Sequence, residues 1–157
     1  MAIIIVTGSV CSGKTTYAKK FAKDKGYTYI DVNKIIENNK KAIGAKYNRK
    51  DKCYDVDTDK LNKLLIARIR QAKKDKESLV IDSHLSHYIP KRYVDKCIVT
   101  RCPDLKKLKI RLQKRNYPKQ KIEDNLEAEI METCLQDAIA FGHKVKIIDT
   151  SKKINKK

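Results

Sequence analysis

Gly8-Ser-Val-Cys-Ser-Gly-Lys-Thr15 fits the pattern G-x-x-x-x-G-K-[ST], and its surroundings give the pattern meaning. It follows the apolar run Ile3-Ile4-Ile5-Val6 directly and opens an amphipathic stretch, Lys14 to Ala22. A strand that feeds a glycine-rich loop and then a helix turns several backbone N–H groups, and the positive end of a helix dipole, toward one point. Gly8 and Gly13 let the backbone follow a tight path around a phosphate chain. Lys14 can reach the β- and γ-phosphates, and the Thr15 hydroxyl can ligate Mg²⁺. Within the loop the Cys11 backbone matters more than its thiol, and Ser12 lies beside it. A chance match in a glycine-containing turn would lack the strand before and the helix after. The stretch therefore implies a nucleoside triphosphate site.

Outward from the loop, five short β-like runs alternate with helical patterns, the signature of an α/β fold with a parallel sheet and crossover helices. The runs are Ile3–Thr7, Tyr27–Val32, Leu79–Ser83, Cys97–Arg101 and Val145–Asp149. Four are continuous Ile/Val-rich stretches, as strands covered on both faces require. Gly26 stops the first helix. Asp59 to Lys74 reads as a second, with Leu61, Leu64, Leu65 and Ile69 at helical spacing. Another runs from Asp104 to Arg115, with Pro103 at the first helical position. The longest is expected from Pro118 to just before Gly142, a natural C′ residue. The stretch 38–56 is polar, weakly periodic and too long for an ordinary connection, which suggests a functional flap. The tail, Ser151 to Lys157, is expected to fray.

At 157 residues the size prior gives one domain, 1–157. No apolar run approaches the roughly 18 residues of a membrane span. No signal peptide is evident, so a cytoplasmic location and no membrane partner are expected. The five cysteines are scattered, with no C-x-x-C pair, which argues against a zinc site or a disulfide framework. The net charge of +18 has two readings, a lysine-rich compositional bias or a weak footprint for nucleic acid or polyanionic ligands. Because the lysines are spread over nearly every segment, the charge names no partner.

A triphosphate loop needs a second acid for its metal. Asp82, ending Leu79-Val80-Ile81, stands where such an acid would lie, although a strand-end Asp can also serve as a cap. His84 is two residues on, so an extended strand would put both side chains on one face. His84 then either positions water or phosphate, or is a satisfied structural residue, as His87 is expected to be. Arg101 follows the fourth strand, and Arg111 and Arg115 share a helix face. These arginines either close over the nucleotide or stay on the solvated surface.

Taken in order, Gly8–Thr16, Tyr29-Ile-Asp-Val32, Tyr54-Asp-Val-Asp57, Val80-Ile-Asp-Ser-His84, Arg111-Leu-Gln-Lys-Arg-Asn-Tyr117 and Lys121-Ile-Glu-Asp-Asn125, continuing into Glu127-Ala-Glu-Ile130, resemble the adenylate kinase isoenzyme 6 family. The resemblance covers about residues 3–150. It implies a P-loop NTPase three-layer fold, with a nucleoside-monophosphate region at about 31–57 and a lid at about 114–124. It implies ATP held by Gly13, Lys14, Thr15 and Thr16 of the loop, with Lys14, Asp82, His84 and Arg115 as the catalytic set and Thr15 and Asp82 at Mg²⁺. Arg101 and Arg111 join the nucleotide contacts, and Asp31, Asn33, Tyr54 and Arg92 fall to the acceptor. The implied reaction is ATP plus AMP giving two ADP, with intrinsic ATP hydrolysis. The alternative is an ATPase switch in small ribosomal subunit maturation, acting through the ribosomal protein uS11; another small-molecule kinase is a third reading. The chain departs from ordinary adenylate kinases at Glu37, near where they place an arginine, and in lacking a long final helix.

Overall fold

The computed structural model describes residues 1–50 and 53–152; positions 153–157 of the expected frayed tail lie outside the described residues. The elements follow as β1 (Ile3–Gly8), α1 (Lys14–Lys25), β2 (Thr28–Asp31), α2 (Val32–Asn38), β3 (Lys46–Asn48), β4 (Cys53–Asp55), α3 (Thr58–Lys74), β5 (Leu79–Asp82), β6 (Lys96–Arg101), α4 (Leu105–Lys114), α5 (Lys119–Ile130), α6 (Thr133–Ala140) and β7 (Val145–Asp149). Five strands form a parallel sheet in the order β2-β5-β1-β6-β7. The apolar runs read from the sequence coincide with these strands to within about a residue at each end.

Alternation along β1 divides the core. Ile3 and Ile5 pack with Leu79, Ile81, Cys97 and Val99 under α2, α3 and α6, where Val32, Ile36, Leu61, Leu65, Ile69, Leu135 and Ala138 are buried. Ile4 and Val6, with Val80 and Ile98, meet Ala18 and Ala22 of α1 on the opposite face. A third cluster of Cys102, Leu108 and Leu112 backs Val10, Tyr117, Ile122 and Leu126, fastening α4 and α5 beside the phosphate loop. Leu65, 1% exposed, sits in the largest of these clusters. Leu65→Ala is expected to cost about 2–5 kcal/mol in a urea melt. Nucleotide affinity of the folded fraction should be unchanged.

The parallel register brings Val6, Asp31 and Asp82 abreast and sets Gly8 opposite Thr100, so the loop and the acid leave the sheet at one edge. That carboxyl edge is where ligands bind in open α/β sheets.

Two sequence expectations need correction, and a third gains detail. The long helix is broken: α5 stops at Ile130, Glu132 takes a left-handed φ of 55°, and α6 restarts at Thr133. Pro103 is not the first helical residue, because Asp104 caps α4 by accepting from Lys107 N at 3.2 Å. The irregular stretch 38–56 is partly ordered as a small antiparallel ladder, β3–β4, in which Tyr47 faces Tyr54 with ring centroids 5.2 Å apart. Gly26 and Gly142 end α1 and α6 with φ of 71° and 82°, as expected of residues beyond a helix C-terminus.

Candidate functional site

A cleft of about 330 Å³ opens at the sheet edge between the phosphate loop, α2, the β3–β4 ladder and the segment from Arg115 to Lys121. Its walls include Cys11, Gly13, Lys14, Thr15 and Thr16 from the loop, with His84 and Leu85 from the turn after β5. Asn33, Glu37, Tyr47 and Tyr54 line the far wall, and Arg115, Tyr117 and Lys121 close over it. A second cavity of about 650 Å³ adjoins it, sharing Cys11, Gly13, Thr16 and Arg115, and is lined further by Lys107, Arg111, Lys114 and Thr150 to Lys152.

The loop is pinned from beneath. Ser12 Oγ lies 2.9 Å from Thr100 Oγ1, and Ser12 is fully buried. A Cβ on Gly8 would meet Thr100 Oγ1 at 2.5 Å and Ser12 Oγ at 2.6 Å, so glycine is dictated by close approach. Gly13 caps α1 with φ 84°, and a Cβ there would press on Thr150 at 2.8 Å. Thr150 donates its hydroxyl to Ser12 O at 2.5 Å. Arg111 adds a second tie, donating to Cys11 O at 3.2 Å and to Thr150 O at 2.7 Å. These bonds hold Cys11 at φ 61°, a costly conformation for a non-glycine residue. Arg111 thus borders the second cavity while its guanidinium braces the loop. Burial pushes the Cys11 thiol up, against the pull of Arg115, Lys14 and Arg111.

Asp82 stands beside the loop. Thr15 donates its hydroxyl to Asp82 Oδ2 at 2.8 Å, and Tyr29 donates to the same oxygen at 2.5 Å. Burial first, and the Asp82 bond second, raise the Tyr29 phenol, which keeps its proton and stays a donor. Tyr29 escaped the sequence reading as a site residue because its role depends on β2 lying against β5. Its only early signal was its place in the Tyr29-Ile-Asp-Val32 motif.

His84 reaches the cleft by another route than strand alternation: β5 ends at Asp82, and a turn carries His84 into the mouth. Its ring is reachable by solvent yet crowded by protein atoms. That desolvation, with the Lys14 ammonium second, holds its pKa well below the ordinary imidazole value, so it is neutral at pH 7. His87 is buried beneath β1, Nδ1 2.7 Å from Thr7 Oγ1 and Nε2 3.6 Å from Asp137, a packing role.

Three expected site residues lie elsewhere. Arg101 donates to Glu129 Oε1 and Glu132 Oε1 at 2.9 Å each and to Glu129 O at 2.9 Å, with its charge used on α5 and its break. Arg92 stacks on Tyr93 with its guanidinium 4.9 Å from the ring centroid, away from the cleft lining. Asp31 caps α2, accepting from Asn33 N at 2.9 Å. Lys121, quoted only within a motif, lines the cleft with its ammonium 4.3 Å from the Tyr117 ring centroid.

Thr15 and Asp82 bring two hard oxygen donors together, a fit for Mg²⁺, which takes its remaining ligands from phosphates and water. No helix of the described residues is long and apolar enough to cross a membrane.

The sheet order, the phosphate loop after β1 and the acid at the end of β5 define a P-loop fold of the small-kinase type. Solved structures agree at the level of fold: YorR from Bacillus subtilis, solved in complex with phosphorylated GDP, superposes with a TM-score of 0.59 at 17% identity, over 96% of this chain and 86% of its own. Shikimate kinase from Acinetobacter baumannii gives 0.56 at 14% identity, over 97% and 85%. A family model described as an AAA domain matches residues 4–132. An adenylate kinase isoenzyme 6 homolog of Caenorhabditis elegans is 35% identical over 135 residues, 86% of this chain and 71% of that protein. The Schizosaccharomyces pombe homolog is also 35% identical over 135 residues, 86% of this chain and 73% of its own. The chain belongs to the adenylate kinase isoenzyme 6 family.

Proposed function

We propose that this chain is an Mg²⁺-dependent adenylate kinase, moving the γ-phosphoryl group of ATP to AMP to give two ADP, with some hydrolysis of ATP by water. One observation supports this above all: Lys14, Arg115 and Lys121 converge on a cleft that also holds the Thr15–Asp82 pair. Phosphoryl transfer asks the protein for positioning and for positive charge around the moving group, and little else.

Under this reading the loop amides and Lys14 hold the β- and γ-phosphates, and the adjoining basic cavity takes the nucleoside end of ATP. Thr15 and Asp82 would hold Mg²⁺, which when bound neutralises charge on the phosphates. Tyr29 fixes one oxygen of Asp82. Arg115 and Lys121 bring charge to the transferring group from the 115–121 segment, and its closure would exclude water. AMP needs no general base, because its phosphate is already an anion.

A second reading is favoured by His84. A neutral imidazole at the cleft mouth can accept a hydrogen bond from water and orient it toward the phosphate. Hydrolysis would then drive an ATPase switch in small ribosomal subunit maturation through a ribosomal protein, as the family resemblance implied. The net charge of +18 is compatible with nearby rRNA. One assay separates the readings: ADP and inorganic phosphate measured from ATP, with and without AMP. AMP should raise ADP formation at least about tenfold over hydrolysis alone if kinase chemistry dominates, a shift of one transition-state decade. Phosphate release indifferent to AMP, with no AMP-stimulated formation of ADP, would overturn the kinase reading and leave the ATPase.

A further inference from the structure

The charges on the cleft walls are divided. The cations among its described lining residues, Lys14, Arg115 and Lys121, come from the phosphate loop and the 115–121 segment. The opposite wall, built by α2 and the β3–β4 ladder, presents Asn33, Ile36, Tyr47, Cys53, Tyr54 and one charge, the carboxylate of Glu37. Glu37 is one helical turn beyond Asn33, so the two share the face of α2 turned to the cleft. Glu37 is exposed there and has neither a hydrogen-bonding nor an ionic partner among the described residues. One cation of the neighbouring segment, Lys40, has its ammonium over the Tyr54 ring at 5.4 Å and is not part of the lining.

A dianionic acceptor entering between these walls meets attraction from one side and an unpaired negative charge from the other. Like charges facing each other across a site are a means of rejecting a ligand as well as a cost. Water, being neutral, pays no such penalty.

We propose that Glu37 is a specificity-determining residue that weakens binding of an anionic acceptor and sets how the γ-phosphoryl group is divided between a nucleoside monophosphate and water. This rests on the proposed phosphotransferase reading. In both branches the bond from the γ-phosphorus to its bridging oxygen breaks and ADP leaves with the electron pair. The new P–O bond forms either to an AMP phosphate oxygen, giving a second ADP, or to water, giving inorganic phosphate and a proton. Glu37 changes only which acceptor occupies the site.

The test compares the full chain with Glu37→Gln and Glu37→Arg. AMP affinity is read by calorimetry on protein saturated with Mg²⁺ and a non-hydrolysable ATP analogue, and by the KM for AMP. Glu37→Gln should tighten AMP binding several-fold and Glu37→Arg by about tenfold or more, as expected for removing and then reversing a facing charge. At sub-saturating AMP the ratio of ADP to inorganic phosphate formed should rise in the same order. Since Glu37 is exposed on a short helix, both variants should fold, which circular dichroism checks. AMP affinity that is unchanged or weaker in both variants, or AMP that binds none of the three proteins, overturns the proposal. Failure of the triphosphate analogue to bind any of them would overturn the phosphotransferase reading itself.

Discussion

Lys14→Ala is expected to abolish ATP turnover, both with AMP and without it, by roughly 10²–10³-fold or more, the scale of losing one donor aimed at developing charge. Lys14 is the first residue of α1 and lines the cleft beside Thr15 and Arg115. Its ammonium has no hydrogen bond or ion pair to the fold among the described residues, so its charge is available to phosphate. Alanine suits that helical position, so the fold should survive. The loss would therefore belong to the phosphates and not to structure. Coupled detection of ADP checks turnover, and a urea melt superimposable on wild type checks the fold. Lys14→Arg is expected to recover little, because a planar fork cannot take the place of a compact ammonium inside a fixed loop. Turnover within tenfold of wild type in Lys14→Ala would remove the loop from the mechanism.

The phosphate loop is legible in the sequence because its pattern is local: eight consecutive residues, with a strand before and a helix after. The same holds for β1, β5 and β6, whose apolar runs are buried on both faces, while the edge strands β2 and β7 are only partly covered. Asp82 was legible for a related reason, since a strand-end acid must lie beside a loop that leaves the neighbouring strand. What escaped depends on contacts between distant segments. Tyr29 reaches Asp82 only because β2 pairs with β5, and Thr150 locks Gly13 across 137 positions of chain. Arg111 was expected to contact the nucleotide, and sequence could not show that its donors end on the Cys11 and Thr150 carbonyls. The break between α5 and α6 was hidden because an apolar stripe continues through it. Nothing in the local sequence marks Glu132 for a left-handed turn. Its carboxylate answers a guanidinium 31 positions away.

That guanidinium carries the other large effect. Arg101→Ala is expected to destabilise the fold by about 3–5 kcal/mol while leaving the ATP affinity of the folded protein within about twofold, the pattern of a broken buried ion pair. Glu129 is 3% exposed and Arg101 18%, so truncating the arginine leaves a carboxylate buried with its main partner gone. The Glu129 carbonyl loses a donor as well, at the turn where α5 ends. Glu132 is 39% exposed and can turn to water, so its own truncation should cost about 1 kcal/mol or less. Replacing both buried partners, Arg101→Met with Glu129→Leu, should recover most of the loss, because the penalty lies in the orphaned charge more than in the pair. Urea midpoints for the three variants, with nucleotide titrations on each, provide the check. If Arg101→Ala instead kept its stability and lost ATP affinity, the arginine would belong to the nucleotide, as its place at the end of the fourth sheet strand first suggested. The latch to α5 would then be incidental. The two outcomes are opposite in both measurements, so a single variant decides whether Arg101 serves the ligand or holds the broken helix against the sheet.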